Sequence, residues 1–386
     1  HLLTLLKIEL YPSLYQVTIH NFANRYLMIQ MKKHNFYAGP AILPQSVLNQ
    51  AADSVINFSN MDLSLLEISH RSKEFEAVMA EAEQLVRELL SLNDDFAVLF
   101  LSGGASSQFY MVPMNLLGEN EKAYYINTGT WATGAIKEAR LFGDVEVLAS
   151  SEADSFRHIP KGFTVPGDGA YLHLTSNNTI YGSQYKSFPK AEIPIVCDMS
   201  SDIFSKKIDG KDFGLIYAGA QKNMGPAGVT LVTVRKELMG RAKRKLPTML
   251  NYKTHAEKNS MYNTPPVFPI YVSMLTMRWI KEMGGLSAME SRNQAKAEML
   301  YNEIDKNPCF TGTVAKEDRS WMNVVFIPKK VEHETLFLEE CKKAGCVGLA
   351  GHRSVGGFRA SLYNALDLES VEVLVDVMQS FANKYA

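Results

Sequence analysis

The 386-residue chain has few of the features that mark disulfide-bonded, membrane-spanning or nucleic-acid-binding proteins. Its four cysteines, Cys197, Cys309, Cys341 and Cys346, are scattered, which is neither a disulfide framework nor a metal-ligand spacing and fits a reducing cytoplasm. No apolar run reaches the roughly 18 residues that a membrane-spanning helix needs. The formal net charge of -1 gives no overall attraction to nucleic acid or to an anionic membrane. An acidic ligand would therefore have to be bound by a local cluster of basic residues.

Length and composition instead predict a globular protein with more than one domain. Hydrophobic residues make up 46% and charged residues 21%, which is ordinary for a globular chain, and 386 residues exceed one usual core. From residue 75 to about 285, short apolar strands alternate with helical patterns. This predicts a mostly parallel sheet with helices on both faces. Pro265, Pro266 and Pro269 precede a helix predicted at 271–283, and a smaller α+β region follows.

The first candidate for chemistry is Lys222. It follows a predicted buried strand at 214–217 and a bend of small residues, and a second apolar run lies at 229–234. A lysine removed from water loses its proton more readily, becomes a nucleophile and can form a Schiff base. For an isolated lysine after a glycine, a solvated loop position is the simpler interpretation.

Two other strand ends favour the catalytic interpretation. Asp198 ends the run 193–197, at the carboxyl end of a buried strand, where α/β sheets bind ligands. The alternative is a helix N-cap for residues 199–201, which we expect to turn the carboxylate away from a ligand. The run 96–101 leads through Ser102, Gly103 and Gly104 into a predicted helix, whose free N–H groups suit a phosphate.

A phosphate cradle, a carboxylate and a lysine are together what pyridoxal phosphate requires. The cofactor needs an anchor for its phosphate, an acidic partner for its ring nitrogen and a lysine for the Schiff base. The alternative from another functional class is a non-catalytic protein that binds nucleotide phosphates on the glycine turn. Such a protein would need neither Asp198 nor Lys222.

Five ordered stretches resemble the class V, pyridoxal-phosphate-dependent aminotransferases, and within them the phosphoserine aminotransferases. They are residues 35–41, 67–75, 217–226, 261–266 and 351–361, so the resemblance extends from about Lys33 to the end. It implies the aspartate-aminotransferase-like α/β fold, fold type I. That fold has a large domain with a mostly parallel seven-stranded sheet and a smaller α+β C-terminal domain.

The resemblance also implies the domain boundaries. We expect an N-terminal arm at 31–45 that packs with the small domain, a large cofactor-binding domain at 46–285 and a small domain at 286–386. The resemblance does not reach residues 1–30. We expect these to be a non-native or disordered extension before a natural start at Met31.

Each residue of a pyridoxal phosphate site has an expected role by this resemblance. Lys222 forms the Schiff base and moves the proton, and Asp198 pairs with the pyridinium nitrogen. Trp131 stacks on the ring and Thr179 bonds the phenolic oxygen, although alone they would be a core tryptophan and a turn threonine. The expected phosphate ligands are Ala105, Ser106 and Gln221, with Asn263 and Thr264 from the second subunit of a homodimer. Ser106 stands where some relatives have an arginine.

Four basic residues are expected to bind the substrate anions, because the arginine fork suits both carboxylate and phosphate. Arg359 is assigned to the α-carboxylate, and His352 and Arg353 to the substrate phosphate. Arg71 is expected to reach the phosphate end across the dimer interface. The plainer alternatives are a salt bridge at a helix start for His70 and Arg71, and a polar loop for residues 352–353.

The implied reaction transfers the amino group of glutamate to 3-phosphohydroxypyruvate, giving phosphoserine and 2-oxoglutarate, as in serine biosynthesis. The family is also linked to 4-phosphohydroxy-threonine in pyridoxal phosphate biosynthesis. No metal, nucleic acid or membrane partner is expected. The nearest alternatives are a cysteine desulfurase and an alanine–glyoxylate aminotransferase. A desulfurase needs a mobile cysteine in the C-terminal part, where Cys341 and Cys346 lie without the expected loop.

Overall fold

The computed structural model describes residues 32–386, so the extension expected at 1–30 lies outside the described residues. Residues 34–386 form one compact unit. Its helices are α1 (Gln45–Ile56), α2 (Lys73–Leu89), α3 (Gly104–Leu116), α4 (Thr130–Ala139), α5 (Tyr252–Glu257), α6 (Val267–Glu282), α7 (Gly285–Lys306), α8 (His333–Lys343) and α9 (Leu368–Tyr385). Its strands are β1 (His34–Asn35), β2 (Phe96–Leu101), β3 (Lys122–Asn127), β4 (Asp144–Ser150), β5 (Leu172–Thr175), β6 (Ile195–Asp198), β7 (Leu215–Gly219), β8 (Thr230–Arg235), β9 (Phe310–Gly312), β10 (Asn323–Pro328), β11 (Cys346–Val347) and β12 (Phe358–Ser361). Within residues 32–386, none of the helices combines the length and the apolar character needed to cross a membrane.

The central sheet has seven strands in the order β2-β8-β7-β6-β5-β3-β4. Strand β8 runs antiparallel to both of its neighbours, β2 and β7, and the other pairs are parallel. The carboxyl ends of β2, β3, β5, β6 and β7 therefore lie at one edge of the sheet, where α/β proteins bind ligands. The mostly parallel seven-stranded sheet confirms the predicted fold class.

Helices cover both faces of this sheet, which explains its continuous apolar strands. All six residues of β2 and all five of β7 are buried, as expected when neither face contacts water. One face packs against α2 and α6. The other packs against α3 and α4.

The C-terminal part has its own sheets and apolar core. Strands β12, β10 and β9 form an antiparallel sheet, and β1 pairs in parallel with β11. Four phenylalanines pack edge to face or tilted within this core: Phe310, Phe326, Phe337 and Phe358. Phe36, directly after β1, is buried in the same core. The N-terminal segment thus shares a core with the C-terminal residues, while the boundaries at 45 and 285 remain predictions.

Candidate active site

A cavity of about 320 Å³ opens at the carboxyl edge of the central sheet. Nine of the predicted site residues line it, namely Ala105, Ser106, Trp131, Thr179, Asp198, Gln221, Lys222, His352 and Arg359. The other four, Arg71, Asn263, Thr264 and Arg353, are exposed and do not line it. One chain therefore brings together the predicted ring, lysine and carboxylate ligands but not every predicted phosphate ligand.

Lys222 extends into the cavity from the turn after β7. The turn is closed by the N–H groups of Lys222 and Gly225, which both donate to the carbonyl of Ala220 at 2.7 and 2.8 Å. The Lys222 Nζ donates to the hydroxyl of Thr179 at 2.8 Å and lies 6.0 Å from the ring centroid of Trp131. Burial lowers the pKa of the Lys222 amine to about 8, with the Asp198 carboxylate opposing that shift. A neutral, nucleophilic fraction is therefore present close to neutral pH.

Asp198 is the last residue of β6 and faces the same cavity. Its Oδ1 accepts the backbone N–H of Ser200 at 2.9 Å and the Ser200 hydroxyl at 2.6 Å. Residues 200–204 form turns rather than the helix that the N-cap alternative required. The contact with Ser200 uses Oδ1, and Asp198 still lines the cavity. Burial raises the pKa of Asp198, and the Ser200 bonds oppose the shift.

The start of helix α3 forms the predicted phosphate cradle. Gly103, with φ +101°, precedes the helix, and Gly104, with φ +70°, is its first residue. A Cβ at Gly103 would lie 2.7 Å from the Ser107 hydroxyl, so this close approach requires glycine. Ala105 and Ser106 complete the first turn, whose N–H groups and positive dipole end suit an anion.

Asn178 joins the loop before α4, the helix that carries Trp131, to the loop that carries Thr179. Its Nδ2 donates to the carbonyl of Thr128, and its Oδ1 accepts the N–H of Ile180 at 3.1 Å. Gly129 permits the approach, because a side chain there would collide with the Asn178 amide. This positioning role was missed in the sequence. Gly129, two residues before Trp131, was the available signal, but Asn178, the residue packed against it, lies about fifty residues later in the chain.

Arg359 and His352 bring the basic groups of the C-terminal part to the cavity. The Arg359 Nη1 donates to the carbonyl of Thr179 at 3.2 Å, and its buried Nε has no hydrogen-bond partner among the described residues. His352 Nδ1 accepts the N–H of Ser354 at 3.3 Å. The same Nδ1 lies 2.7 Å from the Ser354 hydroxyl, which can donate or accept. Burial and the charges of Arg359 and Arg353 lower the pKa of His352, which favours the neutral imidazole.

Several further residues line the cavity that the sequence interpretation did not assign, namely Ala38, Gly39, Phe109, Thr175, Asn177, Ile180, Ser200 and Ser201. Asn177 Nδ2 donates to Ser201 Oγ and to Asn323 Oδ1, both at 2.8 Å. The amide thus ties the floor of the cavity to β10. Ser200 and Ser201 lie two and three residues after Asp198, and this closeness in sequence is the local sign of their position.

The alternatives left open by the sequence find little support in the geometry. Cys341 and Cys346 are buried and do not line the cavity, so neither resembles the mobile cysteine of a desulfurase. Within residues 32–386, no group of three or more His, Cys, Asp or Glu residues could hold a metal ion. Arg71 Nε donates to the ring of His70 at 3.3 Å, a hydrogen bond between neighbouring residues rather than the salt bridge considered above.

Comparisons with known proteins agree with this geometry. The model of the family described as Aminotransferase class-V matches residues 33–374. The chain is 58% identical over 355 residues to a phosphoserine aminotransferase of Flavobacterium psychrophilum, covering 92% of this chain and 100% of the relative. The solved phosphoserine aminotransferase from Bacillus circulans subsp. alkalophilus is 46% identical with a TM-score of 0.89, covering 92% of this chain and 99% of that one.

A pyridoxal-phosphate-bound phosphoserine aminotransferase from Trichomonas vaginalis is 36% identical with a TM-score of 0.86, covering 90% of this chain and 100% of that one. The match therefore spans both the central sheet and the C-terminal part. Together with the lysine, carboxylate and helix start at one sheet edge, it establishes that the chain belongs to the class V aminotransferase family.

Proposed function

We propose that the chain transfers the amino group of glutamate to 3-phosphohydroxypyruvate, giving phosphoserine and 2-oxoglutarate. The observation that carries the proposal is the double contact at Thr179. Its hydroxyl accepts the Lys222 amine at 2.8 Å and its carbonyl accepts the Arg359 guanidinium at 3.2 Å. A reactive amine and a group that binds carboxylates are thereby held on the two sides of one residue. An α-amino or α-keto acid carries its reactive carbon next to its carboxylate, and the site offers a group for each.

The residues around the cavity fit pyridoxal phosphate, the cofactor of this family. The start of α3 offers free N–H groups to its phosphate, and Gln221 lines the same cavity. Asp198 offers a carboxylate to the ring nitrogen, Trp131 a ring face and Thr179 a hydroxyl to the phenolic oxygen. When bound, the cofactor supplies a carbonyl carbon that bonds to amines and a ring that withdraws electrons from the substrate Cα.

Asp198, Lys222 and Trp131 each have a different role in the proposed reaction. Asp198 holds a proton on the ring nitrogen, and the paired charges compensate the burial that raises its own pKa. Lys222, whose amine pKa is lowered to about 8, exists partly as a free base and moves a proton at the substrate Cα. Trp131 covers the site and excludes water from one face. Each role places a titratable or apolar group where the reaction needs it.

The substrate anions are divided between two basic groups. The Nε of Arg359, which has no hydrogen-bond partner among the described residues, is free to complete a two-pronged contact with an α-carboxylate. His352, whose pKa is lowered, offers a neutral ring N–H to the distal group, which is a phosphate in one substrate and a carboxylate in glutamate. A neutral donor serves both groups, while Arg353 adds charge for the phosphate.

We further propose a homodimer with shared sites, in which Arg71, Asn263 and Thr264 act on the partner's cavity. The support is their location, since all three are exposed and none lines the cavity of its own chain. Thr264 precedes Pro265, which favours an extended conformation that presents its hydroxyl.

An amino-acceptor screen with glutamate as donor tests the reaction. The screen includes 3-phosphohydroxypyruvate, glyoxylate, pyruvate and the keto acid that corresponds to 4-phosphohydroxy-threonine. We expect the highest kcat/KM with 3-phosphohydroxypyruvate. A preference for glyoxylate would refute the proposal. Borohydride reduction should attach the cofactor to Lys222, and a reduced adduct on another lysine would refute that assignment.

A complementation experiment tests the shared sites. Chains with Lys222→Ala are co-expressed with chains carrying Asn263→Ala and Thr264→Ala together. If the pair acts across the interface, each mixed dimer contains one site with all three native side chains, and activity returns. If the pair acts within its own chain, every mixed dimer lacks a complete site, and the mixture stays at the level of the separate variants.

A further inference from the structure

We propose that Lys296 is a positioning residue for the Lys222 site, a role that rests on the proposed function. Lys296 lies in α7 and is fully buried. Its Nζ donates to three backbone carbonyls, those of Leu362 at 2.9 Å, Tyr363 at 2.7 Å and Leu366 at 3.1 Å. These carbonyls belong to the turn at residues 362–366, which follows β12.

The three carbonyl contacts call for three N–H donors and so favour the ammonium form, although burial lowers the pKa of Lys296 well below its ordinary value. A neutral amine has two N–H groups and one lone pair, and that lone pair would face one of the three carbonyls. A buried ammonium is costly, and an apolar side chain of similar length would avoid the cost. The direct effect of the three hydrogen bonds is to fix the turn at residues 362–366 against α7.

Two hydrogen bonds connect the turn at residues 362–366 to the cavity and to the segment that carries Lys222. The Tyr363 hydroxyl donates to the carbonyl of Ala38 at 2.8 Å, and Ala38 lines the cavity. The backbone N–H of Asn364 donates to Asn223 Oδ1 at 3.0 Å. Asn223 directly follows Lys222, so the turn constrains the segment that carries the reactive amine.

Helix α7 holds the same turn at a second point. Asn293, one helical turn before Lys296, donates its Nδ2 to Asn364 Oδ1 at 2.8 Å and to the carbonyl of Ser205 at 2.9 Å. The Nδ2 of Asn223 donates to the carbonyl of Ser201, which lines the cavity. Lys296 and Asn293 thus connect α7 to the loops after both β6 and β7. Removing the Lys296 ammonium takes a donor from all three carbonyls, of which those of Tyr363 and Leu366 keep a second donor, the Leu366 N–H and Arg292. The turn thereby loses its hydrogen bonds to Lys296 and can move or admit water.

The test compares holoenzymes of Lys296→Met and Lys343→Met. The second change removes a lysine on the surface of α8, whose side chain is 68% exposed, and serves as the matched control. The pH midpoint of the visible absorbance of the bound cofactor reports the proton at the Lys222 nitrogen, and visible circular dichroism reports the orientation of the cofactor. We expect Lys296→Met to move the midpoint by about half a pH unit or more and to reduce the dichroism. Lys343→Met should leave both unchanged.

A folded Lys296→Met protein with a lowered melting temperature but an unchanged midpoint and dichroism would overturn the proposal, because the lysine would then only stabilise the fold. If that variant does not fold, Asn223→Leu removes the acceptor of the Asn364 N–H while keeping Lys296, and it should give the same shift. An unchanged midpoint in Asn223→Leu would also overturn the proposal. Where both variants fold, the double variant should shift no further than either alone, since they act on one path.

Labelling of the Lys222 amine, followed by mass spectrometry across pH, gives the same comparison without cofactor. It distinguishes failure of the positioning role from failure of the proposed function. A labelling midpoint that moves in Lys296→Met supports the role even if wild-type protein binds no cofactor. A midpoint equal to that of the wild type refutes the role even if transamination is established.

Discussion

Replacing Arg359 by leucine should weaken the binding of both substrates. Arg359 lies in β12, which pairs with β10 along its whole length, and its Nη1 is held by the Thr179 carbonyl. The guanidinium is therefore oriented before a substrate arrives. Losing a charge-assisted hydrogen bond to an anion costs about 1.5–3 kcal/mol, which is roughly a ten- to hundredfold loss of affinity. Since glutamate and 3-phosphohydroxypyruvate both present an α-carboxylate, KM should rise by roughly that factor for both.

Arg353→Leu is the matched comparison, because Arg353 lies on the neighbouring loop and is exposed. Its charge is proposed to serve the substrate phosphate. We therefore expect a rise in KM for 3-phosphohydroxypyruvate, of the order of tenfold or more for one charge-assisted contact, with a smaller effect on glutamate. Stopped-flow measurement of the two half-reactions separately, on both variants, distinguishes the two roles. Melting temperature and cofactor retention control for loss of the Thr179 contact in Arg359→Leu.

The division of roles would be wrong if Arg353→Leu impaired both half-reactions equally and Arg359→Leu impaired neither. It would also be wrong if Arg359→Leu affected only the phosphate-bearing substrate, since an α-carboxylate contact cannot distinguish the two. A large effect of both variants on 3-phosphohydroxypyruvate alone would place both arginines at the phosphate.

Three further outcomes are expected. Because burial lowers the pKa of the Lys222 amine, its labelling in cofactor-free protein should be half-maximal near pH 8 rather than at the ordinary 10.5. Asp198→Asn should lower that midpoint further, since the carboxylate favours the ammonium. A wild-type midpoint near 10.5 would contradict the burial argument. Asp198→Asn should also retain most cofactor affinity but turn over far more slowly, and turnover equal to wild type would remove Asp198 from the catalytic residues. In urea unfolding, Gly104→Ala should lower the free energy of unfolding by about 1–2 kcal/mol from its positive φ alone. Gly103→Ala should lower it more, because its Cβ would also meet Ser107. Equal losses would show that the start of α3 adjusts to the added Cβ.

The central sheet could be predicted because its strands are apolar along their whole length. Strand β2 occupies the residues predicted, 96–101, since both of its faces are buried. Helix α6 begins at Val267 rather than at the predicted residue 271, because Pro269 falls in the first turn, where a helix needs no N–H partner. Helix α1 was not predicted. Its buried positions, Val47, Ala51 and Ser54, are few, and the exposed Leu48 and Ile56 obscure their period.

Some residues of the site could be predicted from the neighbouring sequence, whereas others are placed by contacts with residues far away in the chain. Asp198 ends a strand, and Lys222 and the helix start at Gly104 each come shortly after one, so local sequence placed them at one sheet edge. No local pattern could bring Arg359 to Thr179, since 180 residues separate them. The resemblance supplied that assignment, and the geometry adds the unpartnered Nε and the shared Thr179. The lowered pKa of His352 depends on burial and on the charges of Arg359 and Arg353, which residue types alone do not specify.

The reactivity of Lys222 depends on both kinds of information. Its place after β7 is local, but the lowered pKa of its amine arises from burial, which distant segments create. Ala41 donates its N–H to the carbonyl of Gln221, and Asn364 donates to Asn223, so residues on both sides of Lys222 are held by segments far away in the sequence. A change in either segment alters the environment of the amine without touching it. Substitutions at Lys296 should therefore shift the ionisation of Lys222, whereas substitutions of surface lysines should not, and this contrast separates positioning of the amine from the general stability of the fold.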